Sequence, residues 1–145
     1  MKYIELKHKN GPVIRFRLYE NNSPATCKAF IDALPFNAKA VQARFAGEEI
    51  WIQKGPYLKI NQENATILLK PGELGYASPN KKSEIGQSIA IVYGEAKLSG
   101  RVNVFAMVFK EYFKTLKKLG EKIWLGGSRV LRFELKEKKK RHESI

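Results

Sequence analysis

One short segment of the chain places a guanidinium close to two carboxylates, at Arg44, Glu48 and Glu49. Side chains of these types bind polar ligands through charge-assisted hydrogen bonds. The structural alternatives are an outward-facing strand arginine paired with Glu49, and carboxylates that keep a hairpin soluble. Because neighbouring side chains of a regular strand point to opposite faces, we expect one of the two glutamates in a groove beside Arg44.

Three further residues combine apolar surroundings with a polar group. Tyr76 and Tyr93 have the apolar area and polar tip suited to the rim of a groove, and packing in the core is their alternative role. Asn103 lies in the apolar run Val102–Phe109, so it needs hydrogen-bond partners if it is buried. Such an asparagine either fixes a neighbouring loop or binds a ligand.

Several kinds of chemistry have no support in the sequence. Cys27 is the sole cysteine and lies on an apolar helical face, which predicts a buried structural thiol. His8 and His142 are isolated, so no metal site is predicted. The chain lacks a glycine-rich phosphate loop, HExxH and Gly-x-Ser-x-Gly, and no cofactor is expected.

The chain of 145 residues is strongly basic, with 27 Lys and Arg against 14 Asp and Glu and a net charge of +13. Almost all acidic residues are glutamate, and lysine is abundant. This composition is a weak signature of proteins from thermophiles, so an archaeal or thermophilic source is expected. The charge permits nucleic-acid binding. A basic helix over 110–122 could contact nucleic acid or a membrane, although a solvated helix face explains it more simply.

Hydrophobic periodicity predicts strands, two helices and turns. The strands are expected at Lys2–Lys7, Val13–Tyr19, Ala40–Ala46, Glu48–Gln53, Leu74–Ala77, Ser88–Tyr93, Val102–Phe109 and Arg129–Leu135, and a polar loop at Ser78–Gly86. One helix begins at Ser23-Pro24 and ends at Pro35, and the other covers Glu111–Leu119 with Gly120 as its C-terminal cap. Gly47 is expected at a bulge or turn.

Many strands with only two helices argue against alternating βαβ units. The sequence therefore predicts a mainly β fold: a closed barrel of about eight antiparallel strands with a helix capping each end, which removes exposed sheet edges. This domain is expected over residues 1–135. Residues 136–145, with the run Lys138–Arg141, are expected to form a basic, flexible tail.

Three segments in order resemble the cyclophilins. The first segment, Phe16–Phe30, resembles the cyclophilin strand that leads into a Pro-x-Thr helix. The second, Pro71-Gly72-Glu73-Leu74, resembles the Pro-Gly-x-Leu turn of that family. The third, Val108-Phe109-Lys110 with the helix and strand that follow, resembles the C-terminal third of the cyclophilins. A small prokaryotic cyclophilin-like family of unassigned function is more similar. Its pattern matches Leu34-Pro35, Arg44–Trp51, Pro71–Tyr76, Tyr93-Gly94 and Asn103-Val104-Phe105.

The resemblance implies the cyclophilin-like barrel, and it places Arg44 where cyclophilins carry their essential arginine. Prolyl isomerisation faces a barrier of roughly 18–20 kcal/mol, which a guanidinium lowers by drawing the imide nitrogen lone pair out of resonance. Gln87 lies near the cyclophilin Gly-Ser-Gln stretch, with a different residue order. The chain also departs from the family, because Phe45-Ala46-Gly47-Glu48-Glu49 replaces Pro-Gly-Phe and no histidine can be assigned to the proline slot.

The sequence thus predicts a barrel that binds a small polar molecule or a proline-containing peptide in a groove near Arg44. The expected ligand-binding residues are Arg44, Glu48, Glu49, Tyr76, Gln87, Tyr93 and Asn103, with weak or absent prolyl isomerase activity. The alternatives are a divergent prolyl isomerase that uses Arg44 and, less favoured, a nucleic-acid-binding protein. No signal peptide or membrane span is found, so a cytoplasmic location is expected.

Overall fold

A computed structural model describes residues 1–78 and 87–138 of the chain. Within these residues the strands are β1 Lys2–His8, β2 Ile14–Leu18, β3 Phe36–Gln42, β4 Gly47–Ile52, β5 Ala65–Thr66, β6 Glu73–Tyr76, β7 Ile89–Ala96, β8 Val102–Val108 and β9 Arg129–Glu137. The helices are α1 Pro24–Asp32 and α2 Phe113–Gly126, and a 3₁₀ turn at Lys110–Tyr112 precedes α2.

The strands form one antiparallel sheet in the order β2-β1-β9-β3-β4-β7-β6-β8-β5. Pairing of β2 with β8, in which Phe16 lies opposite Val108, closes the first eight of these strands into a barrel. The short strand β5 is an addition on β8. The predicted mainly β fold, a closed barrel of eight antiparallel strands with two helices, is confirmed.

The barrel interior is filled by alternate residues of each strand, as the period of two requires. On β7, Ile89 and Ile91 face the interior with Phe105 and Phe133. Helix α1 adds Phe30, whose ring lies 4.7 Å from that of Phe105. Cys27 is buried, as predicted, and its Sγ donates to the Phe105 carbonyl at 3.4 Å.

The opposite face of the same strands carries a second apolar group, here called the outer cluster. It consists of Leu69, Ala77, Ala90, Val92, Leu98, Val102 and Val104. Ala90 and Val92 alternate along β7 with Ile89 and Ile91, so this strand is apolar on both faces. That explains the continuous apolar run of β7, which is typical of a strand buried on both sides.

Several predicted boundaries are wrong, and each has a local cause. Strand β3 begins at Phe36 and ends at Gln42, so Arg44 lies in the turn between β3 and β4 instead of in a strand. The turn is closed by hydrogen bonds from the Ala46 and Gly47 amides to the Ala43 carbonyl. The irregularity expected at Gly47 is present, because the register of β4 against β7 shifts between Gly47 and Glu49.

Helix α2 does not end at Gly120 but continues to Gly126. Gly120 is buried inside the helix, because it packs on the Tyr93 ring, and it is therefore not a cap. Strand β9 reaches Glu137, two residues past the predicted domain boundary. The rest of the predicted tail and the expected loop Ser78–Gly86 fall largely outside the described residues, as do His142 and Gly86.

Candidate functional site

A cleft of about 280 Å³ opens on the face of the barrel that carries the outer cluster, and we call it the outer cleft. Its walls include Ala90 of β7 and Val102 of β8, and its rim includes Arg101 in the connection between those strands. Strand β4 and the turn before it add Glu49, Trp51 and Phe45. The cleft is thus a mostly apolar concavity with a few polar groups, which is the usual character of a ligand site.

Strand alternation places Glu49 in this cleft. Ile50 and Ile52 face the barrel interior, so Glu49 and Trp51 face outward, and Glu49 pairs with Val92 in the register of β4 and β7. Glu49 is only 5% exposed. Among the described residues, none donates a hydrogen bond to its carboxylate or forms an ion pair with it. Burial raises the pKa of Glu49 to about 7.

Two aromatic side chains flank the Glu49 side of the outer cleft. The rings of Phe45 and Trp51 are 5.7 Å apart in an edge-to-face arrangement. Phe45 is 70% exposed, which is unusual for a large apolar side chain and leaves its other ring face accessible. These rings provide apolar contact area at the mouth of the cleft.

Arg44 lies next to the outer cleft in sequence but does not line it. Its guanidinium lies 4.9 Å from the centroid of the Trp124 ring, and Nη2 donates to the Trp124 carbonyl oxygen at 2.8 Å. The arginine predicted to act in the groove therefore connects the β3–β4 turn to α2.

Glu48 and Tyr93 lie in a second concavity of about 320 Å³ beside α2, which we call the helix-side concavity; its lining also includes Glu121, Trp124 and Leu125. Oε1 of Glu48 accepts a hydrogen bond from the Glu95 amide at 3.2 Å. The Tyr93 hydroxyl donates to Oε1 of Gln42 at 2.6 Å, and burial raises the pKa of Tyr93 to about 12. Both polar groups thus have partners within the protein.

Tyr76 and Asn103 are fully buried. The Tyr76 hydroxyl donates to the Pro56 carbonyl at 2.8 Å and accepts from the Leu58 amide at 3.0 Å. Nδ2 of Asn103 donates to Thr26 Oγ1 and to the Asn61 carbonyl. These contacts hold the chain after β4 against the barrel, as the loop-fixing alternative for Asn103 predicts.

Gln87 has a φ of 74° and lies just before β7. Its amide donates to the Ala77 carbonyl, and its carbonyl accepts from the Gly55 amide at 2.8 Å. The predicted residues are therefore divided between the outer cleft, the helix-side concavity and the protein interior. Their roles in ligand binding stay predictions.

Most residues of the outer cleft were not among the ligand-binding residues predicted from the sequence. Phe45 and Trp51 were part of a family motif only, although Trp51 lies two residues after Glu49 on the same face of β4 and Phe45 lies in the turn before that strand. Arg101 lies in a short polar connection between two apolar strands, a position where binding residues are frequent.

Within residues 1–78 and 87–138, no group of three or more His, Cys, Asp or Glu could hold a metal ion. The same residues contain no helix long and apolar enough to span a membrane.

A family model described as "Protein of unknown function (DUF3830)" matches residues 7–135. No curated protein sequence matches the chain. Solved structures share the fold, and three of them are compared with the chain below. The structure of McbB in complex with tryptophan has a TM-score of 0.68 at 15% identity, covering 94% of this chain and 46% of McbB, so the chain spans about half the length of that protein.

The other two structures are matched over nearly their whole length. The hypothetical protein AF2241 from Archaeoglobus fulgidus has a TM-score of 0.65 at 20% identity, covering 92% of this chain and 93% of its own. A cyclophilin-type peptidyl-prolyl cis-trans isomerase of Cryptosporidium parvum, in the presence of the dipeptide Ala-Pro, has a TM-score of 0.66 at 19% identity, covering 95% and 99%. The resemblance to the cyclophilin-like superfamily is confirmed at the level of the fold.

Proposed function

The chain belongs to the DUF3830 family, whose function is unknown, and we propose that it binds a small polar or peptidic ligand in the outer cleft beside the Arg44 turn. The observation that carries this proposal is the Glu49 carboxyl group, which is buried in the cleft without an internal partner among the described residues. Buried carboxyl groups are normally hydrogen-bonded or paired. A ligand that occupies the cleft would satisfy this group.

The size and lining of the cleft support a ligand of amino-acid or dipeptide size. Its volume of about 280 Å³ lies near the lower limit of typical small-molecule sites. Two of the similar structures are described with tryptophan and with Ala-Pro. The identities of 15% and 19% do not assign these ligands to this chain, but the ligands indicate the size of the compounds to test first.

Binding can be tested with ¹⁵N-labelled protein and a library of small polar compounds and short proline-containing peptides, Ala-Pro included. We expect ligands to shift the amide signals of Phe45, Trp51 and residues 98–102. Replacing Trp124 by Phe leaves Trp51 as the sole tryptophan of the chain, so its fluorescence reports binding separately.

Gly100→Leu provides a blocking variant, because a Cβ at Gly100 meets no atom within 4 Å and the residue lines the cleft. Gly126→Leu is the matched control, since it is equally open at the end of α2, outside the cleft. The proposal requires that Gly100→Leu weakens binding and Gly126→Leu does not. Equal effects of the two variants, or library ligands that shift only amides outside the cleft, would show that it is wrong.

The two alternative functions have separate assays. Prolyl isomerisation through Arg44 requires catalysis in a protease-coupled proline-peptide assay that Arg44→Ala abolishes. Because the Arg44 guanidinium is bonded to Trp124, we expect weak or no activity. Nucleic-acid binding driven by the charge of +13 requires affinity that falls steeply with salt through counterion release.

A further inference from the structure

Charge is distributed unevenly in the outer cleft. The described lining contains two charged residues, Glu49 and Arg101. Glu49 is 5% exposed, whereas Arg101 lies exposed at the rim. Burial raises the pKa of Glu49, and none of the ion pairs among the described residues joins it to Arg101 or to another cation. Although the chain contains 27 Lys and Arg, the described residues provide no positive partner for this buried carboxylate.

On the basis of the proposed function, we infer that the outer cleft selects small organic amines with an apolar or aromatic body, whose ammonium group pairs with the Glu49 carboxylate. An ammonium group supplies both the missing charge and the missing hydrogen-bond donors, and charge-assisted hydrogen bonds are about twice as strong as neutral ones. A neutral hydroxyl supplies a donor without the charge, and a carboxylate ligand would meet Glu49 with like charge.

The walls of the cleft favour an apolar body next to that ammonium group. Ala90, Leu98 and Val102 are apolar residues that line the same cleft as Glu49. The edge-to-face pair of Phe45 and Trp51 offers ring surface that attracts a neighbouring cation. A compact inorganic cation would leave this apolar surface unfilled, whereas an aralkyl amine covers it.

Pairing with an amine also couples binding to a proton on Glu49. Besides Glu49, the described residues that line the cleft come from β4 and its turn, from β7, from β8 and from the connecting segments at residues 62, 77–78, 88 and 98–101. Arg101 is the one charged residue among them. Glu49 is therefore the group whose ionisation controls binding, and amines should bind more tightly as the pH rises through about 7.

The experiment uses three probes with one aromatic scaffold: phenethylamine, 2-phenylethanol and 3-phenylpropionate. Binding to the full chain is followed by amide shifts of Phe45, Trp51 and residues 98–102 at about pH 6 and about pH 8. We expect phenethylamine to bind best at about pH 8 and to weaken by about tenfold at about pH 6, as the ionised fraction of Glu49 falls. Calorimetry in two buffers of different ionisation enthalpy should show proton release on binding.

Two variants separate the effect of the Glu49 carboxylate from the effect of negative charge on β4 in general. Glu49→Gln should remove the preference for the amine, its pH dependence and the proton release. Glu48→Gln is the matched control, because Glu48 is its sequence neighbour but lies in the helix-side concavity, and it should leave all three unchanged.

Three results would contradict the inference. The first is stronger binding of the alcohol or the carboxylate, and the second is an amine preference that survives Glu49→Gln. The third is a pKa of Glu49 near or below 4.5 in the free protein, measured from its side-chain ¹³C signal, since an internal cation would then already pair with it. If library compounds bind the cleft but amines are not preferred, this inference fails and the proposed function stands. If neither library compounds nor the three probes bind there, the proposed function fails as well.

Discussion

The Arg44 guanidinium lies over the Trp124 ring at 4.9 Å and donates a hydrogen bond to the Trp124 carbonyl oxygen at 2.8 Å. This contact joins the turn between β3 and β4 to a residue near the end of α2. It explains why an arginine that borders the outer cleft in sequence faces away from it. Because of this contact, we expect the loss of the Arg44 side chain to lower the stability of the protein and to leave ligand affinity in the outer cleft unchanged.

Arg44→Ala is expected to lower the free energy of unfolding by about 1 kcal/mol, because it removes an exposed cation–π contact and one hydrogen bond. Urea denaturation measures this change. Ligand affinity in the outer cleft should be unchanged. Loss of a measurable proline-peptide isomerisation in the same variant would contradict this assignment and favour the isomerase alternative.

Glu49→Gln is expected to change the pH dependence of stability. Burial raises the folded-state pKa of Glu49 from 4.5 to about 7, so the folded protein holds this proton more tightly than the unfolded chain. The resulting stability is fully present below about pH 4.5 and is lost as the pH rises through about 7. The variant should match the natural chain at about pH 4 and exceed it by up to about 3 kcal/mol at about pH 8.

Chemical denaturation of both proteins across this pH range measures the difference. Glu48→Gln is the control, and its stability difference should not follow the same pH profile. A constant difference between Glu49→Gln and the natural chain at all pH values would mean that Glu49 is not desolvated in the folded protein.

Asn103→Ala is expected to destabilise the protein by about 3 kcal/mol. The change removes the donors to Thr26 Oγ1 and the Asn61 carbonyl, and the acceptor of the Glu63 amide at 3.1 Å. Each buried group left without a partner costs about 1–3 kcal/mol. Thermal or urea unfolding tests this.

Two comparisons make the Asn103 result specific. Asn103→Asp keeps the acceptor for the Glu63 amide and loses the donors. Asn37→Ala changes an exposed asparagine of β3 and should stay within about 0.5 kcal/mol of the natural chain. A similar small effect at Asn103 would show that its hydrogen bonds do not hold the loop.

Gly120→Ala should destabilise the protein although alanine favours helices by about 1 kcal/mol. A Cβ at Gly120 would lie 2.6 Å from atoms of the Tyr93 ring, which is itself buried and hydrogen-bonded. Overpacking of this kind typically costs about 1–3 kcal/mol, so we expect a net loss of about 1 kcal/mol in urea denaturation. Gly126→Ala, in open space at the end of α2, is the control. A stabilised Gly120→Ala variant would contradict the contact between α2 and Tyr93.

The sequence by itself determined the fold class and most of the element order. Alternation in Ile14–Leu18 and the apolar runs of β7 and β8 are local patterns that a strand or its burial imposes directly. The Pro24 helix start and the irregularity at Gly47 are local as well, since they follow from proline and glycine backbone preferences. Such features need no information about distant parts of the chain.

The tertiary structure alone decided where the predicted site residues lie. A slip of one residue moves a side chain to the other face of a sheet, and a turn that begins earlier than predicted takes it out of the strand, as it does for Arg44 beyond the end of β3. Glu48 and Glu49 face opposite sides of β4, as strand alternation predicts, but only the tertiary structure shows that Glu49 enters the outer cleft and Glu48 the helix-side concavity. Gly120 was predicted to end its helix, but it lies inside α2 and packs on the ring of Tyr93, a residue distant in sequence. These outcomes depend on contacts between remote segments, which residue types and spacing do not encode locally.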